Sequence, residues 1–190
     1  MNIVVKPYGS SLCYCRPDTT WEKESRDLYI PDGVEKALVA PVAFARISKA
    51  GKCIGEKFAS RYYDSFNYGM LIYCHPGDAK AAEDTAACSC FDHSSLLPAP
   101  MYNPIVMEGA DNEFHLSKND SEIFSTNTEG AAMMLEEAIC TASKATSLRI
   151  GDIVAVELAP RAELAHKSEG KAELKATFCQ NELFSLKVIF

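Results

Sequence analysis

The chain has 190 residues, enough to bury one hydrophobic core, and its 47% hydrophobic and 24% charged residues are typical of a globular protein. A formal net charge of −7, with no run of Lys and Arg, argues against nucleic acid as a partner. No apolar run approaches the roughly 20 residues that span a bilayer, and residues 1–6 are too short for a signal peptide. We therefore expect a cytoplasmic protein without a nucleic-acid or membrane partner.

The first half of the chain predicts strands around one helix. Short strands are predicted at residues 1–6, 11–15 and 28–30, each followed by polar or turn residues. Residues 38–47 are apolar on both faces, which indicates a strand buried on both sides, and residues 68–74 form a similar run. Between these two runs, an amphipathic helix of about four turns is predicted over residues 53–66. Its apolar positions fall four residues apart, at Ile54, Phe58, Tyr62 and Phe66.

The second half predicts two hairpins, one helix and a charged loop. Asp78 can cap a short helix, and residues 96–104, with three prolines, are predicted to be loop. The patterns predict strands at 113–117, 121–125, 153–158, 173–179 and 184–190. They also predict a helix with an apolar stripe from Ala131 to Ala142, capped by Thr126, Asn127 or Thr128. The charged residues 160–170 are predicted to be a mobile excursion. These elements together indicate an α+β fold with a dominant sheet.

Eight cysteines leave two interpretations open. In a reducing compartment they are thiols rather than disulfides. Cys13 with Cys15, and Cys88 with Cys90, have a Cys-x-Cys spacing, whereas zinc sites prefer pairs two to four residues apart followed by further ligands. Buried, reduced cysteine is one interpretation, and a zinc or redox site at these two pairs is the other.

The order of several motifs resembles the fumarylacetoacetate hydrolase family. These motifs are Leu-Tyr-Ile-Pro at residues 28–31, the segment from Lys49 to Asp64, Cys-Phe-Asp at residues 90–92, and Ser-Leu-Arg-Ile-Gly-Asp at residues 147–152. The resemblance implies a β-rich mixed-sheet roll with a few helices over residues 1–190 as one domain, with a homodimer as the usual assembly. It also implies an enzyme that cleaves or decarboxylates carbon–carbon bonds of dioxo acids, or a related isomerase, using a divalent cation held by a Glu-x-Glu pair and an Asp.

The sequence departs from the family at the residues that carry this chemistry. The Glu-x-Glu positions fall on Ala40 and Val42, and the Asp position falls on Leu71. A family lysine is replaced by Ser89, and an arginine by His75. Residues 1–27 form a shortened N-terminal segment that lacks the position of the family's catalytic histidine. Since apolar side chains cannot ligate a hard cation, we expect no metal cofactor at this site.

This departure leaves two alternative functions, in addition to the zinc or redox site at the cysteine pairs. The first is a non-catalytic protein that acts as a binding or structural homo-oligomer, with a small-molecule ligand left open. The second is a metal-independent hydrolase, decarboxylase or isomerase of small oxo acids with a rebuilt site, because His and Glu exchange protons near neutral pH. The residues proposed to line such a pocket are His75, Ser89, Asp92, His93, Thr128 and Glu157.

Overall fold

The strands of the protein form two sheets. The computed structural model describes residues 1–76, 84–109 and 112–190. The first sheet contains β1 (Ile3–Lys6), β2 (Tyr14–Arg16), β3 (Trp21–Glu22), β5 (Val34–Ile47), β6 (Tyr63–Pro76), β7 (Ser95–Leu96), β10 (Ile153–Glu157) and β11 (Ala162–His166), and the second contains β4 (Leu28–Tyr29), β8 (Glu113–Lys118), β9 (Ser121–Asn127), β12 (Lys171–Phe178) and β13 (Asn181–Ile189). Their orders are β2-β1-β10-β5-β6-β7-β3, with β11 also on β5, and β4-β13-β12-β8-β9.

The antiparallel pair β5–β6 is the centre of the first sheet. The two strands, each 14 residues long, pair along almost their whole length. Both faces are covered, which explains why the predicted strands at 38–47 and 68–74 are apolar throughout. Because side chains alternate across a strand, the buried even-numbered residues of β5 from residue 40 to residue 44 pack into one cluster, and the buried odd-numbered residues from 37 to 47 that are in a cluster pack into the other.

The predicted helix over residues 53–66 is wrong. Only a short 3₁₀ helix forms, at Glu56–Arg61, and β6 begins at Tyr63. Phe66 lies opposite Ala45 in the ladder with β5, whereas Phe58 is 41% exposed. The four-residue spacing therefore does not describe one helix face. The second half of residues 53–66 is a strand, because pairing with β5 determines its conformation.

Two further expectations fail for similar reasons. Residues 160–170 are not a mobile excursion: β11 pairs with β5, Leu164 and Ala165 are fully buried, and a 3₁₀ helix follows at Lys167–Glu169. None of the three proposed caps begins the long helix α2 (Ala131–Ala145), whose N-cap is Gly130 with a φ of 74°. The left-handed conformation of this turn suits glycine.

The other predicted strands form in the described residues with shifted bounds: the strand predicted at 11–15 covers only Tyr14–Arg16, and the last strand begins at Asn181. The hairpin β8–β9 turns at Asn119 and Asp120, and the C-terminal hairpin β12–β13 turns at Cys179 and Gln180; all four residues have positive φ. A short helix α1 covers Asp84–Cys88, and Asp78, its proposed cap, lies outside the described residues. In the described part of the chain, no helix is long and apolar enough to cross a membrane.

Two buried clusters make up the core. The larger one joins one face of the first sheet to the second sheet and to α2. The smaller one lies on the opposite face of the first sheet, over β1, β10, β5 and β6. The fold is thus α+β with mixed, strand-rich sheets and few helices, as the sequence predicts.

Candidate functional site

The three positions proposed for metal ligands lie together on one face of the first sheet. Ala40 and Val42 point to the same side of β5, and Leu71 on β6 lies directly opposite Ala40. Gly69 lies opposite Val42, and a Cβ atom at this glycine would collide with the carbonyl oxygen of Leu96. All three apolar side chains are 0% exposed.

The space around these positions is filled with apolar side chains. The smaller buried cluster contains all three, together with Ile3, Val5, Phe44, Tyr73, Cys88, Leu97, Ile153 and Ala155. A hard cation needs oxygen ligands, and Ala, Val and Leu side chains have none. Among the described residues, no group of three or more His, Cys, Asp or Glu side chains could hold a metal ion. The residues at this place therefore do not fit the cation that the family resemblance implies.

Glu157 is the buried carboxylate nearest to these positions in the sheet. It ends β10 opposite Val42 and is 4% exposed. Its Oε1 accepts hydrogen bonds from the Tyr73 hydroxyl and from Arg161 Nε at 3.2 Å, and its Oε2 accepts one from the Tyr8 amide at 3.0 Å. The hydrogen bonds and the ion pair compensate for burying the charge.

Tyr73 connects Glu157 to the rest of a polar network. Its hydroxyl lies 2.6 Å from the Tyr14 hydroxyl. The guanidinium carbons of Arg161 and Arg16 lie 3.8 and 4.9 Å from the centroid of its ring. Burial, with the neighbouring Tyr14 and Glu157, raises the pKa of Tyr73 far above its usual range. The phenol therefore stays neutral and donates a hydrogen bond to the Glu157 carboxylate.

Arg16 fixes a loop onto the sheet. It is 1% exposed, its Nε donates to the Ser89 carbonyl at 2.8 Å, and its Nη2 donates to the Ile72 carbonyl at 2.6 Å. Both Nη atoms also contact Ser94, at 3.3 Å. Burial lowers the pKa of Arg16 from its ordinary value. Ser89 thus contributes its backbone to a structural contact, and its hydroxyl donates to the Ala86 carbonyl.

Asp92 and His93 are the two proposed site residues that share a pocket. This pocket, of about 560 Å³, is lined by residues 26–31, Cys74 and residues 90–93. His93 Nδ1 lies 2.9 Å from Oε2 of Glu22, a carboxylate that is only 9% exposed. The other oxygen of Glu22 accepts the backbone amides of residues 23 and 24. The imidazole therefore lies in close contact with a carboxylate whose position is fixed by backbone amides.

The other proposed residues lie apart from this pocket. His75, half-buried near the end of β6, lies opposite Lys36 of β5. Thr128 lies in the loop before α2, and its hydroxyl donates to the Gly109 carbonyl. Of the six candidates, Ser89 and Glu157 are linked through Arg16 and Tyr73, and Asp92 and His93 share a pocket. The structure does not bring the six together around one cavity.

Sequence reasoning missed four members of the polar network, namely Tyr14, Arg16, Tyr73 and Arg161. Tyr73 lies within an apolar run, so its pattern is that of a core residue. Strand alternation does place Tyr73 on the same face as Leu71, two residues earlier, and this signal links it to the proposed metal positions. The contacts of Arg16 and Arg161 depend on tertiary packing, and no local pattern predicts them.

The paired cysteines do not form the arrangement expected for a zinc or redox site. Cys88 is buried, whereas Cys90 is exposed and its thiol contacts the Ala86 carbonyl at 2.9 Å. Burial raises the pKa values of Cys13 and Cys15, which disfavours the thiolate that ligates metal or attacks disulfides. All eight cysteines lie in the described residues, and none of them forms a disulfide.

The whole described architecture is similar to that of solved fumarylacetoacetate hydrolase-family proteins. A putative member from Yersinia pestis CO92 superposes with a TM-score of 0.80 at 15% identity, covering 99% of this chain and 92% of that one. The fumarylpyruvate hydrolase from Pseudomonas aeruginosa, solved with Mn²⁺ and pyruvate, superposes with a TM-score of 0.80 at 14% identity, covering 100% of this chain and 90% of that one. A 5-carboxymethyl-2-hydroxymuconate delta-isomerase from Mycobacterium smegmatis superposes with a TM-score of 0.79 at 10% identity, covering 99% of this chain and 78% of that one.

These similarities establish the fold. The chain has the fumarylacetoacetate hydrolase fold, as the order of its sequence motifs predicts. At 10–15% identity, the similarity does not extend to activity or substrate. No protein-family model matches the sequence, and no curated protein matches it either.

Proposed function

We propose that this protein is a non-catalytic member of the fold, which acts as a binding or structural homo-oligomer in the cytoplasm. The observation that supports this proposal is the complete burial of Ala40, Val42 and Leu71 in one apolar cluster. A cation in this family polarises the substrate oxygens, and a packed apolar cluster has neither the ligands nor the space for it. A role through binding needs no such centre.

The test of this proposal is turnover of fumarylpyruvate in the presence of Mn²⁺. Pyruvate release is measured for the purified protein, with the fumarylpyruvate hydrolase of Pseudomonas aeruginosa as the positive control. We expect no release above the rate in buffer, with or without Mn²⁺. Release that requires Mn²⁺, stops with chelator and remains with the protein through a second purification step contradicts the proposal.

The proposed homo-oligomer rests on the family resemblance, and three exposed apolar side chains are candidates for its interface. Leu12 is 75% exposed, Met133 71% and Ile150 70%. Exposed apolar side chains of this size favour association when they lie in a common interface. Light scattering at micromolar concentration tests the assembly: we expect the mass of a dimer or a larger oligomer, and the mass of a single 20.8 kDa chain contradicts it. We propose no nucleic-acid or membrane partner.

A second candidate is metal-independent acid–base chemistry on a small oxo acid. The pair of Glu22 and His93 favours it, because a buried carboxylate lies 2.9 Å from the imidazole at a pocket that also contains Asp92. Turnover of fumarylpyruvate without metal supports this candidate if His93→Gln abolishes it. The control variant His166→Gln, at a histidine that does not line this pocket, should leave the rate unchanged. Equal rates for the two variants and buffer exclude it for this substrate.

A further inference from the structure

A second pocket lies on the same side of the first sheet as the filled metal positions. Its volume is about 510 Å³, within the range of small-ligand sites. Arg46 reaches it from β5, two strand positions beyond Phe44, on the face that carries Ala40 and Val42. Its lining residues are Trp21, Lys23, Arg46, Asp64, Ser65 and residues 98–101.

Two cations in this pocket have no carboxylate partner among the described residues. Within the described part of the chain, neither Lys23 nor Arg46 forms an ion pair, although both line the pocket. The Lys23 Nζ lies 4.2 Å from the centroid of the Trp21 ring. With two cations and one carboxylate, that of Asp64, the lining has a net positive charge in a protein whose formal net charge is −7. It is therefore suited to an anionic group.

The apolar wall of the pocket is held in place before any ligand arrives. The Trp21 indole donates from Nε1 to the Leu97 carbonyl at 2.9 Å. The Asn67 side chain donates to the carbonyls of Pro98 and Pro100, at 3.4 and 3.2 Å, and so fixes the proline-rich wall. Preorganisation of this kind reduces the entropy lost on binding, and a fixed indole next to prolines favours a flat apolar body.

Asp64 restricts the charge that a ligand can carry. Its Oδ1 accepts a hydrogen bond from the Ser65 hydroxyl at 2.9 Å, and the carboxylate lies in the lining of the same pocket. A second negative group on the ligand would approach this carboxylate, which is unfavourable. The combination favours a single carboxylate on the ligand.

We propose that Trp21, Lys23 and Arg46 form a binding site for a small aromatic monocarboxylate. The carboxylate pairs with the two cations, and the ring lies along the wall formed by Trp21 and the prolines. The site goes beyond the proposed function, since it does not depend on whether the buried cluster at Ala40 and Leu71 excludes a metal.

Trp21 is the only tryptophan of the chain, so its fluorescence reports this pocket alone. The wild-type protein is titrated with benzoate and, in parallel, with benzyl alcohol, a neutral compound of similar shape, under selective excitation of tryptophan. We expect a saturable change with benzoate and a much weaker response to the alcohol. A change that grows linearly without saturation, or an equal response to both compounds, overturns the proposal.

Charge-removing variants complete the test. Arg46→Gln leaves the contact of Lys23 with the indole intact and should weaken benzoate binding roughly tenfold, which corresponds to about 1.4 kcal/mol. Lys23→Gln should weaken it by a similar factor, read from the titration midpoint. Lys52→Gln, at an exposed lysine that does not line the pocket, is the matched control and should bind like wild type. Unchanged midpoints in both pocket variants overturn the proposal.

Discussion

Ala40 on β5 lies directly opposite Leu71 on β6, and both side chains are completely excluded from solvent. In the family that the sequence resembles, the positions with which we align this pair carry carboxylates around a cation. The environment of a cation cage is polar, whereas here both residues belong to one apolar cluster with Val42. Packing at this pair therefore contributes to stability by removing apolar surface from water, at roughly 25 cal/mol per Å².

Restoring a single carboxylate should destabilise the fold. We expect Leu71→Asp to lower the free energy of unfolding by at least about 3 kcal/mol, because it places a charge without a partner in an apolar cluster. Leu71→Met, which nearly conserves volume, should cost less than about 1.5 kcal/mol. Urea denaturation measures both, and Ile123→Asp, at a residue 42% exposed, controls for the added charge. Equal stability of Leu71→Asp and wild type would show that water reaches this position.

The polar network beside Val42 should also contribute to stability. Tyr73→Phe removes the hydroxyl that donates to Glu157 and contacts Tyr14, and it leaves the buried carboxylate with one donor fewer. We expect a loss of about 1–3 kcal/mol in the free energy of unfolding, measured by urea denaturation. Tyr29→Phe, at an exposed residue, should change it by less than about 0.5 kcal/mol. Similar values for the two variants would mean that water replaces the Tyr73 contact.

Stability should fall at alkaline pH, in part through Cys74. Burial raises the pKa of this fully buried thiol from 9.0 to about 12. Between these values the unfolded chain releases the proton and the folded chain retains it, so the stabilisation is complete below pH 9 and is lost as the pH rises toward 12. Cys74→Ser should reduce the slope of stability against pH by up to about 1.4 kcal/mol per unit in this interval.

The control for this pH effect is Cys53→Ser, at an exposed cysteine. Its slope of unfolding free energy against pH, measured by urea denaturation from pH 8 to pH 11, should be steeper than that of Cys74→Ser. Two variants with the same slope would show that the Cys74 thiol ionises in the folded protein as it does in the unfolded chain.

The sequence predicts most of the sheets because their signals are local. Alternation over residues 173–179 and the turn at Asn119-Asp120 determine hairpins whose partners are adjacent in the chain. By contrast, residues 53–66 have a helical spacing but enter a long strand, because Tyr63–Pro76 pairs with β5. Residues 160–170 look like a loop in isolation, and pairing with a strand some 125 residues earlier orders them.

The candidate site shows the same division between local and long-range information. The positions of Ala40, Val42 and Leu71 on one face follow from strand alternation and the order of motifs. The contacts of Arg16 with the carbonyls of Ile72 and Ser89 join segments more than 50 residues apart. The pairing of His93 with Glu22 likewise depends on the fold, because nothing in the sequence near either residue indicates the other.

Calorimetric titration of the chelator-treated protein with Mn²⁺ tests the central claim most directly. The buried apolar cluster predicts no stoichiometric binding, and Mg²⁺ should behave in the same way. The fumarylpyruvate hydrolase of Pseudomonas aeruginosa, which was solved with Mn²⁺, is the positive control. One saturable Mn²⁺ site per wild-type chain, weakened by Leu71→Ala, would contradict the account.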